Sequence, residues 1–131
     1  MHKGFLKIGA VAGMLSVILG AFAAHALKGM VGDHAIATFE TGVRYQFYHA
    51  LALLLTGMLI KEFNTARTLV AGWLFLAGII LFSGSLYFLT YIQASVQPGM
   101  RWVGAITPFG GLCFIGGWLL LFWAFWSKKK S

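Results

Sequence analysis

Four long apolar runs, separated by short polar segments, dominate the hydrophobic pattern of the chain. A transmembrane helix needs roughly 20 mostly apolar residues, and the runs at about 5–27, 41–61, 68–91 and 102–126 meet that length. The second run is apolar only from Tyr45 to Ile60, so we expect its helix to begin earlier, near His34, with its first turns above the membrane. The pattern predicts an all-α polytopic membrane protein, in which residues 1–131 form one bundle of four transmembrane helices.

The first run also resembles a secretory signal peptide. Lys3 and Lys7 form a basic start, and Ala24-His25-Ala26 is similar to a cleavage site. Because the apolar stretch is longer than the usual hydrophobic region of a signal peptide, we expect a retained helix.

The positions of the basic residues predict the orientation of the helices. Four spans place both termini on one side, and that side carries seven of the ten Lys and Arg residues: Lys3, Lys7, Lys61, Arg67, Lys128, Lys129 and Lys130. The other side carries Lys28, Arg44 and Arg101. Because the side richer in Lys and Arg faces the cytoplasm, we predict that both termini are cytoplasmic.

The composition supports a membrane protein and excludes other classes. Hydrophobic residues make up 60% of the chain and charged residues 10%, against roughly 25% charged residues in soluble domains. The net charge of +7 comes from cations that lie between apolar runs, which favours a lipid partner over nucleic acid. The one cysteine, Cys113, cannot form an internal disulfide and is expected to fill space in the fourth span.

Small residues recur at helical spacing inside the spans. Helices in lipid associate through close van der Waals contact, which small side chains permit, and a spacing of seven residues keeps one seam toward a partner. We therefore expect a compact left-handed bundle, in which Pro108 begins or kinks the fourth helix. The recurring positions are Gly13, Ser16, Gly20 and Ala23 in the first span, Ala71, Gly78 and Ser85 in the third, and Gly104, Gly110, Gly111 and Gly117 in the fourth.

Polar residues within the spans collect in the half that is predicted to face outside. Counting the helical rise from the span ends places them at a similar depth in the outer leaflet. Intramembrane ionisable residues are functional candidates, so this polar layer is the candidate site. Its members are His25, Gln46, His49, Ser83, Ser85, Tyr87 and Thr107.

The second helix carries two polar members of this layer. On a helical wheel, Gln46 and His49 point into the bundle, while Glu40, Arg44 and Phe47 lie on the opposite face. Glu40 and Arg44 stand four residues apart, so we predict an interfacial ion pair worth about 0.3–0.5 kcal/mol.

Three interpretations of the polar layer remain open. Buried Gln, His, Ser and Thr side chains often serve only as hydrogen bonds between or within helices. Alternatively, His49 and Gln46 line a pathway for an uncharged solute or a proton, since histidine exchanges protons near neutral pH. A metal site is the weakest interpretation, because the two intramembrane histidines have no cysteine or carboxylate nearby.

The sequence contains none of the common catalytic motifs. It holds no GxSxG, HExxH, phosphate-binding loop or CxxC pattern. The three acidic residues, Asp33, Glu40 and Glu62, lie outside the predicted membrane core. We therefore expect a protein that is not an enzyme, with no catalytic residue, metal or cofactor.

Four segments, one from each span, carry a resemblance to a known family. They are GAFAAHAL at 20–27, TGVRYQFYHALA at 41–52, LFSGSLY at 81–87 and GAITPFGG at 104–111. In this order they resemble the YgdD/YwdK family of small bacterial membrane proteins, with Ala23 where the family pattern usually has glycine. The resemblance implies a four-span protein of the bacterial inner (plasma) membrane. It implies no activity, since the family is a domain of unknown function, and its motifs coincide with the polar layer.

These observations predict a non-enzymatic accessory or structural membrane component, acting alone, as a homo-oligomer or with a membrane-protein partner. The alternative is a small channel or transporter for a solute or a proton, with its polar site around His49. A transporter needs a water-reachable cavity that joins His49 to the outside. An accessory component is expected to have a filled interior and a flat, lipid-facing patch of small residues.

Overall fold

The computed structural model describes residues 1–95 and 98–127, and all regular structure in those ranges is helical, as predicted. Lys128, Lys129 and Lys130, which were counted among the basic residues on the cytoplasmic side, lie outside the described residues. A π-helical segment, Ile79–Ser83, joins the third and fourth helices, and 3-10 turns cover Leu27–Gly29 and Pro98–Ala105. The α-helices are α1 (Lys3–Ala24), α2 (Asp33–Leu59), α3 (Thr65–Gly78), α4 (Gly84–Ser95) and α5 (Thr107–Trp126).

Local sequence signals account for the starts of the helices. His2 caps α1, where its Nδ1 accepts a hydrogen bond from the Phe5 N–H at 3.0 Å. Asn64 caps α3 in the same way. Asp33 lies in the first turn of α2, where a carboxylate is favoured by the helix dipole, and this start agrees with the predicted one. Pro108 lies in the first turn of α5, where its missing N–H costs nothing because no intrahelical partner exists for it.

Within residues 1–95 and 98–127, three helical stretches are long and apolar enough to cross a membrane: Lys3–Gly29, Thr65–Ile92 and Trp102–Trp126. They correspond to the first, third and fourth predicted spans. The stretch Thr65–Ile92, which corresponds to the predicted third span, consists of α3, the π segment and most of α4 in one continuous helical rod. Helix α2 has 27 residues, or ~40 Å of helical rise, but Arg44, Gln46 and His49 lower its hydropathy.

Helix α2 lies between the other helices. It packs against α1 on one side and against α3, the π segment and α4 on the other, while α5 packs mainly against α3. Helix α1 has α2 as its main neighbour, so both flanks of α1 are left open.

Aromatic rings that lie on glycines form much of the contact between α3 and α5. A Cβ atom at Gly78 would lie 2.3 Å from the Phe114 ring, and one at Gly117 would lie 2.6 Å from the Phe75 ring. Only glycine therefore permits these ring positions. The buried residues of α5 alternate by four and three, as the predicted seam requires: Gly110, Phe114, Gly117, Leu121 and Ala124.

Candidate functional site

The seven predicted site residues do not form one cluster. Six of them are divided among separate hydrogen-bonded groups, and His25 belongs to none of these groups. Ser83 bonds to Gly42, whereas His49 lies seven residues, or ~10 Å, further along α2. The prediction of a single depth was wrong, because depth was counted from Tyr45 as the end of a span, whereas α2 begins twelve residues earlier at Asp33.

His25 lies at the C-terminal end of α1 and is exposed. Its backbone N–H bonds to the carbonyls of Ala21 and Phe22. In the part of the chain that the structure describes, no hydrogen bond or ring contact joins its side chain to His49 or to the rest of the polar layer.

His49 is enclosed by aromatic rings from α3 and α5. Its ring stacks on Phe114 with the centroids 3.5 Å apart and an interplanar angle of 10°. Phe75 and Trp118 cover other sides of the ring, with centroids at 5.6 Å and 5.9 Å. As the helical wheel predicted, the side chain is buried and faces the interior of the bundle.

Both ring nitrogens of His49 have hydrogen-bond partners. The Trp118 Nε1–H donates to Nε2 at 3.0 Å, and the Tyr45 carbonyl lies 2.7 Å from Nδ1. An indole N–H only donates and a carbonyl only accepts, so Nε2 must accept and Nδ1 must donate. This arrangement fits the neutral tautomer with its proton on Nδ1, and it leaves neither nitrogen free for a substrate or a metal.

Gln46 joins α1, α2 and α4. Its Nε2 donates to the Ala12 carbonyl at 2.9 Å, and its Oε1 accepts from the Tyr87 hydroxyl at 2.6 Å. Tyr87 reaches Gln46 by crossing Gly42, where a Cβ atom would lie 2.8 Å from the tyrosine ring. Gly42 also accepts a hydrogen bond from Ser83 through its carbonyl, at 2.6 Å. These hydrogen bonds together hold α2 against α1 on one side and against the π segment and α4 on the other.

The third polar group lies where the π segment meets α5. The hydroxyls of Ser85 and Thr107 are 2.6 Å apart, and Ser85 also donates to the Phe82 carbonyl. A Cβ atom at Gly110 would lie 2.4 Å from the backbone nitrogen of Phe82. The wide π turn therefore brings its backbone almost into contact with α5, which a side chain at position 110 would prevent.

The predicted ion pair between Glu40 and Arg44 is not formed. No ion pair joins these two described side chains, and the Arg44 guanidinium donates instead to the Thr41 hydroxyl at 3.5 Å. An exposed pair of this kind is worth only ~0.3–0.5 kcal/mol, which is too little to determine the position of a long arginine side chain. Arg44 and Phe47 are exposed, in agreement with the helical wheel.

Two α5 residues that contact His49, Trp118 and Phe114, were not among the site residues predicted from the sequence. Phe114 lies seven residues and Trp118 eleven residues after Thr107, so all three share one face of a helix. Extending the seam beyond its glycines to these aromatic positions provides the signal that was missed. Among the described residues, no group of three His, Cys, Asp or Glu side chains lies close enough to bind a metal ion.

Two open grooves follow the flanks of α1. The first, here named the Lys7 groove, has a volume of about 380 Å³. It is lined by Lys7, Ile8, Val11, Ala12 and Leu15 of α1, by Gln46 and by Ile79. The second groove has a volume of about 240 Å³ and is lined by Ser16, Val17, Val43, Arg44, Phe47 and Tyr48. His49 lines neither groove.

The comparison with known proteins identifies relatives over almost the whole chain. The family model described as "Protein of unknown function (DUF423)" matches residues 19–111, a range that holds all seven predicted site residues. The UPF0382 membrane protein YwdK of Bacillus subtilis (strain 168) is 43% identical over 120 residues, which cover 91% of this chain and 93% of that protein. The UPF0382 membrane protein SAUSA300_0565 of Staphylococcus aureus (strain USA300) is 46% identical over 119 residues, with coverages of 91% and 92%. No solved structure matches the chain significantly.

Proposed function

The chain belongs to the DUF423 family of membrane proteins of unknown function, and we propose that it is a non-enzymatic accessory or structural component of the bacterial inner (plasma) membrane. One observation carries the proposal: in residues 1–95 and 98–127, no buried side-chain nitrogen or oxygen lacks a hydrogen-bond partner. A binding or catalytic site usually keeps polar groups available for its ligand. Here the polar groups of the interior bind one another.

The two most polar interior residues illustrate this use. His49 is bonded at both ring nitrogens, and Gln46 at both ends of its amide. In the absence of water, such bonds stabilise helix contacts by ~0.6–2 kcal/mol each. These hydrogen-bonded groups then serve to fix the register of the helices, and the protein acts through its shape and surface.

We further propose that α2 spans the membrane, so that four spans place both termini in the cytoplasm. The His2 N–H bonds to the Gly57 carbonyl at 2.8 Å, and the Arg67 guanidinium lies 3.8 Å from the Trp123 ring centroid and donates to Ser127. These contacts bring the start of α1, the end of α2, the start of α3 and the end of α5 together. The basic residues Lys3, Lys7, Lys61 and Arg67 belong to this end, which favours a cytoplasmic location.

Labelling of single cysteines tests this topology. In a Cys113→Ala background, Gly32→Cys precedes α2 and Lys61→Cys follows it, and both positions are exposed. A membrane-impermeant maleimide added to spheroplasts is expected to label position 32 and to reach position 61 only after permeabilisation. Equal labelling of both positions from one side would show that α2 does not cross.

The exposed face of α2 is the surface that we assign to a partner. Phe47 and Tyr48 are 39% and 51% exposed, beside Arg44, and interfaces are enriched in aromatic residues and arginine. A photo-crosslinking amino acid at Phe47 is expected to give one discrete adduct in cells. The same group at Phe109, an exposed phenylalanine of α5, serves as the matched control. Equal adducts from both positions, or none from either, would contradict this assignment.

Proton flux distinguishes the accessory role from the channel alternative. Purified protein in vesicles that contain a pH-sensitive dye is expected to dissipate an imposed pH gradient no faster than protein-free vesicles. A flux that His49→Phe abolishes would overturn the accessory proposal in favour of a pathway through His49.

A further inference from the structure

The Lys7 groove combines an apolar wall with a cation at one end. Its α1 residues occupy positions 7, 8, 11, 12 and 15, which form one helical face. Ile79 of the π segment forms part of the facing wall. From Lys7 to Leu15 the helical rise is ~12 Å, so the groove is an elongated channel that opens on the side of the molecule.

Lys7 has no carboxylate partner in the described part of the chain. The side chain is exposed, and its three N–H donors are therefore available to an anion. A lysine near the end of a membrane helix extends its ammonium group toward the headgroups while its methylene stem lies along the apolar surface. The groove thus begins at a cation located at headgroup level.

The described residues that line the deeper part of the Lys7 groove offer no free polar group to an occupant, although Gln46 is one of them. The Gln46 amide already bonds to the Ala12 carbonyl and to the Tyr87 hydroxyl. The other lining residues at this depth are Val11, Ala12, Leu15 and Ile79. An occupant therefore needs an apolar chain in the part of the groove beyond Lys7. A polar group in that deeper part would find no free hydrogen-bond partner among these residues.

We propose that the Lys7 groove binds one anionic phospholipid, with its phosphate at the Lys7 ammonium and an acyl chain along Ile8, Val11 and Leu15. The volume of about 380 Å³ lies within the ~300–1,000 Å³ typical of small-molecule sites. A groove open to hydrocarbon must be filled by an apolar chain, and the unpaired cation selects a negatively charged headgroup. The site goes beyond the accessory role and does not depend on it.

The second groove on α1 does not share these features. Its cation, Arg44, already donates to the Thr41 hydroxyl, and the groove is smaller, at about 240 Å³. It therefore provides internal controls that lie on the same helix but on the opposite flank.

Native mass spectrometry of the full chain in detergent, titrated with phosphatidylglycerol or phosphatidylcholine, tests the proposal. We expect one phosphatidylglycerol to be retained in preference to phosphatidylcholine. Lys7→Gln is expected to weaken phosphatidylglycerol binding about fivefold, the effect of one cation near an anionic surface. Lys61→Gln, which removes an exposed cation that does not line the groove, is expected to leave binding unchanged.

A second pair of variants tests the acyl-chain part of the groove. Val11 is 50% exposed and lines the Lys7 groove, while Val17 is 64% exposed and lines the other groove. Val11→Trp fills the Lys7 groove and is expected to reduce phosphatidylglycerol binding at least fivefold, whereas Val17→Trp has no effect. Unchanged elution and thermal unfolding of all four variants exclude misfolding as the cause.

Two results would overturn the proposal. Equal losses from Lys7→Gln and Lys61→Gln would mean that lipid binds through diffuse surface charge. Equal behaviour of Val11→Trp and Val17→Trp would mean that lipid coats the protein without entering the Lys7 groove.

Discussion

His49 and Gln46 lie less than one helical turn apart on α2, yet their surroundings differ sharply. His49 faces α3 and α5, where aromatic rings enclose it on several sides. Gln46 faces α1, and there the helix contact gives way to the open Lys7 groove. Depth in the membrane therefore does not determine what a polar side chain can meet. Whether such a side chain is enclosed depends on how closely the neighbouring helices pack around it.

The glycines show where neighbouring helices approach one another most closely. Between the π segment and α5, a Cβ atom at Gly110 would meet backbone at 2.4 Å. From the middle of α1 onward, a Cβ atom at Gly13 would lie 4.0 Å from Ala50, and one at Gly20 would lie 3.5 Å from Val43, which are ordinary contacts. The start of α1 is tighter, since a Cβ atom at Gly9 would lie 3.0 Å from the Ala50 carbonyl oxygen. We therefore expect a substitution at Gly110 to cost more than one at Gly13 or Gly20.

Gly110→Ala is expected to have the largest effect, a loss of about 3 kcal/mol in the free energy of unfolding, because the added methyl group meets the Phe82 backbone and the helices must separate. Thermal or denaturant unfolding in detergent measures the loss. The adjacent Gly111→Ala is the matched control, since its Cβ atom would lie 3.9 Å from the Phe82 ring. Similar losses for both variants would show that helix propensity, and not close approach, governs this contact.

Trp118→Phe is expected to cost about 1–2 kcal/mol, since it leaves the buried Nε2 of His49 without its donor. In a His49→Phe background, the same substitution is expected to cost less, because the acceptor is already absent. The difference between the two costs is a double-mutant coupling energy, expected near ~1 kcal/mol. Additive losses would show that the ring contacts, and not the hydrogen bond, join these residues.

Tyr87→Phe is expected to cost about 0.6–1 kcal/mol, because it removes the donor to Gln46 Oε1 on the more open side. The expected loss is smaller than that of Trp118→Phe, since the Gln46 side chain can relax toward the Lys7 groove. Tyr48→Phe removes an exposed hydroxyl on the same protein and is expected to have almost no effect. A loss for Tyr87→Phe equal to that for Trp118→Phe would contradict the difference between the two sides.

The fold was largely predictable because it depends on patterns along single helices. The length of apolar runs predicted the helices, and the seven-residue spacing of Gly110 and Gly117 predicted the α5 seam. The wheel of α2 correctly predicted that Gln46 and His49 are buried. Each of these features needs only the helical rise and rotation, which are the same in every helix.

The pairing of polar residues was not predictable in the same way. Whether His49 meets His25, Thr107 or Trp118 depends on the register between helices, and an error of one turn changes the partner. The π segment adds to this uncertainty, because its wider turns shift every later residue of the same rod. The candidate site was therefore predicted as a set of residues, but its separation into groups required the structure.

Glu40→Gln is expected to have the smallest effect, less than about 0.3 kcal/mol, because the half-exposed Glu40 forms no ion pair with Arg44. Unfolding in low and in high salt measures this contribution, since screening removes any residual attraction between exposed charges. Thr41→Val, which removes the acceptor that Arg44 uses, is the comparison variant. If Glu40→Gln instead destabilised the protein by more than about 0.5 kcal/mol only at low salt, the ion pair would exist in solution. The pair of Glu40 and Arg44 would then stabilise the fold as much as a weak interior hydrogen bond. The difference in stability between the enclosed and the open parts of the molecule would therefore be smaller than the structure indicates.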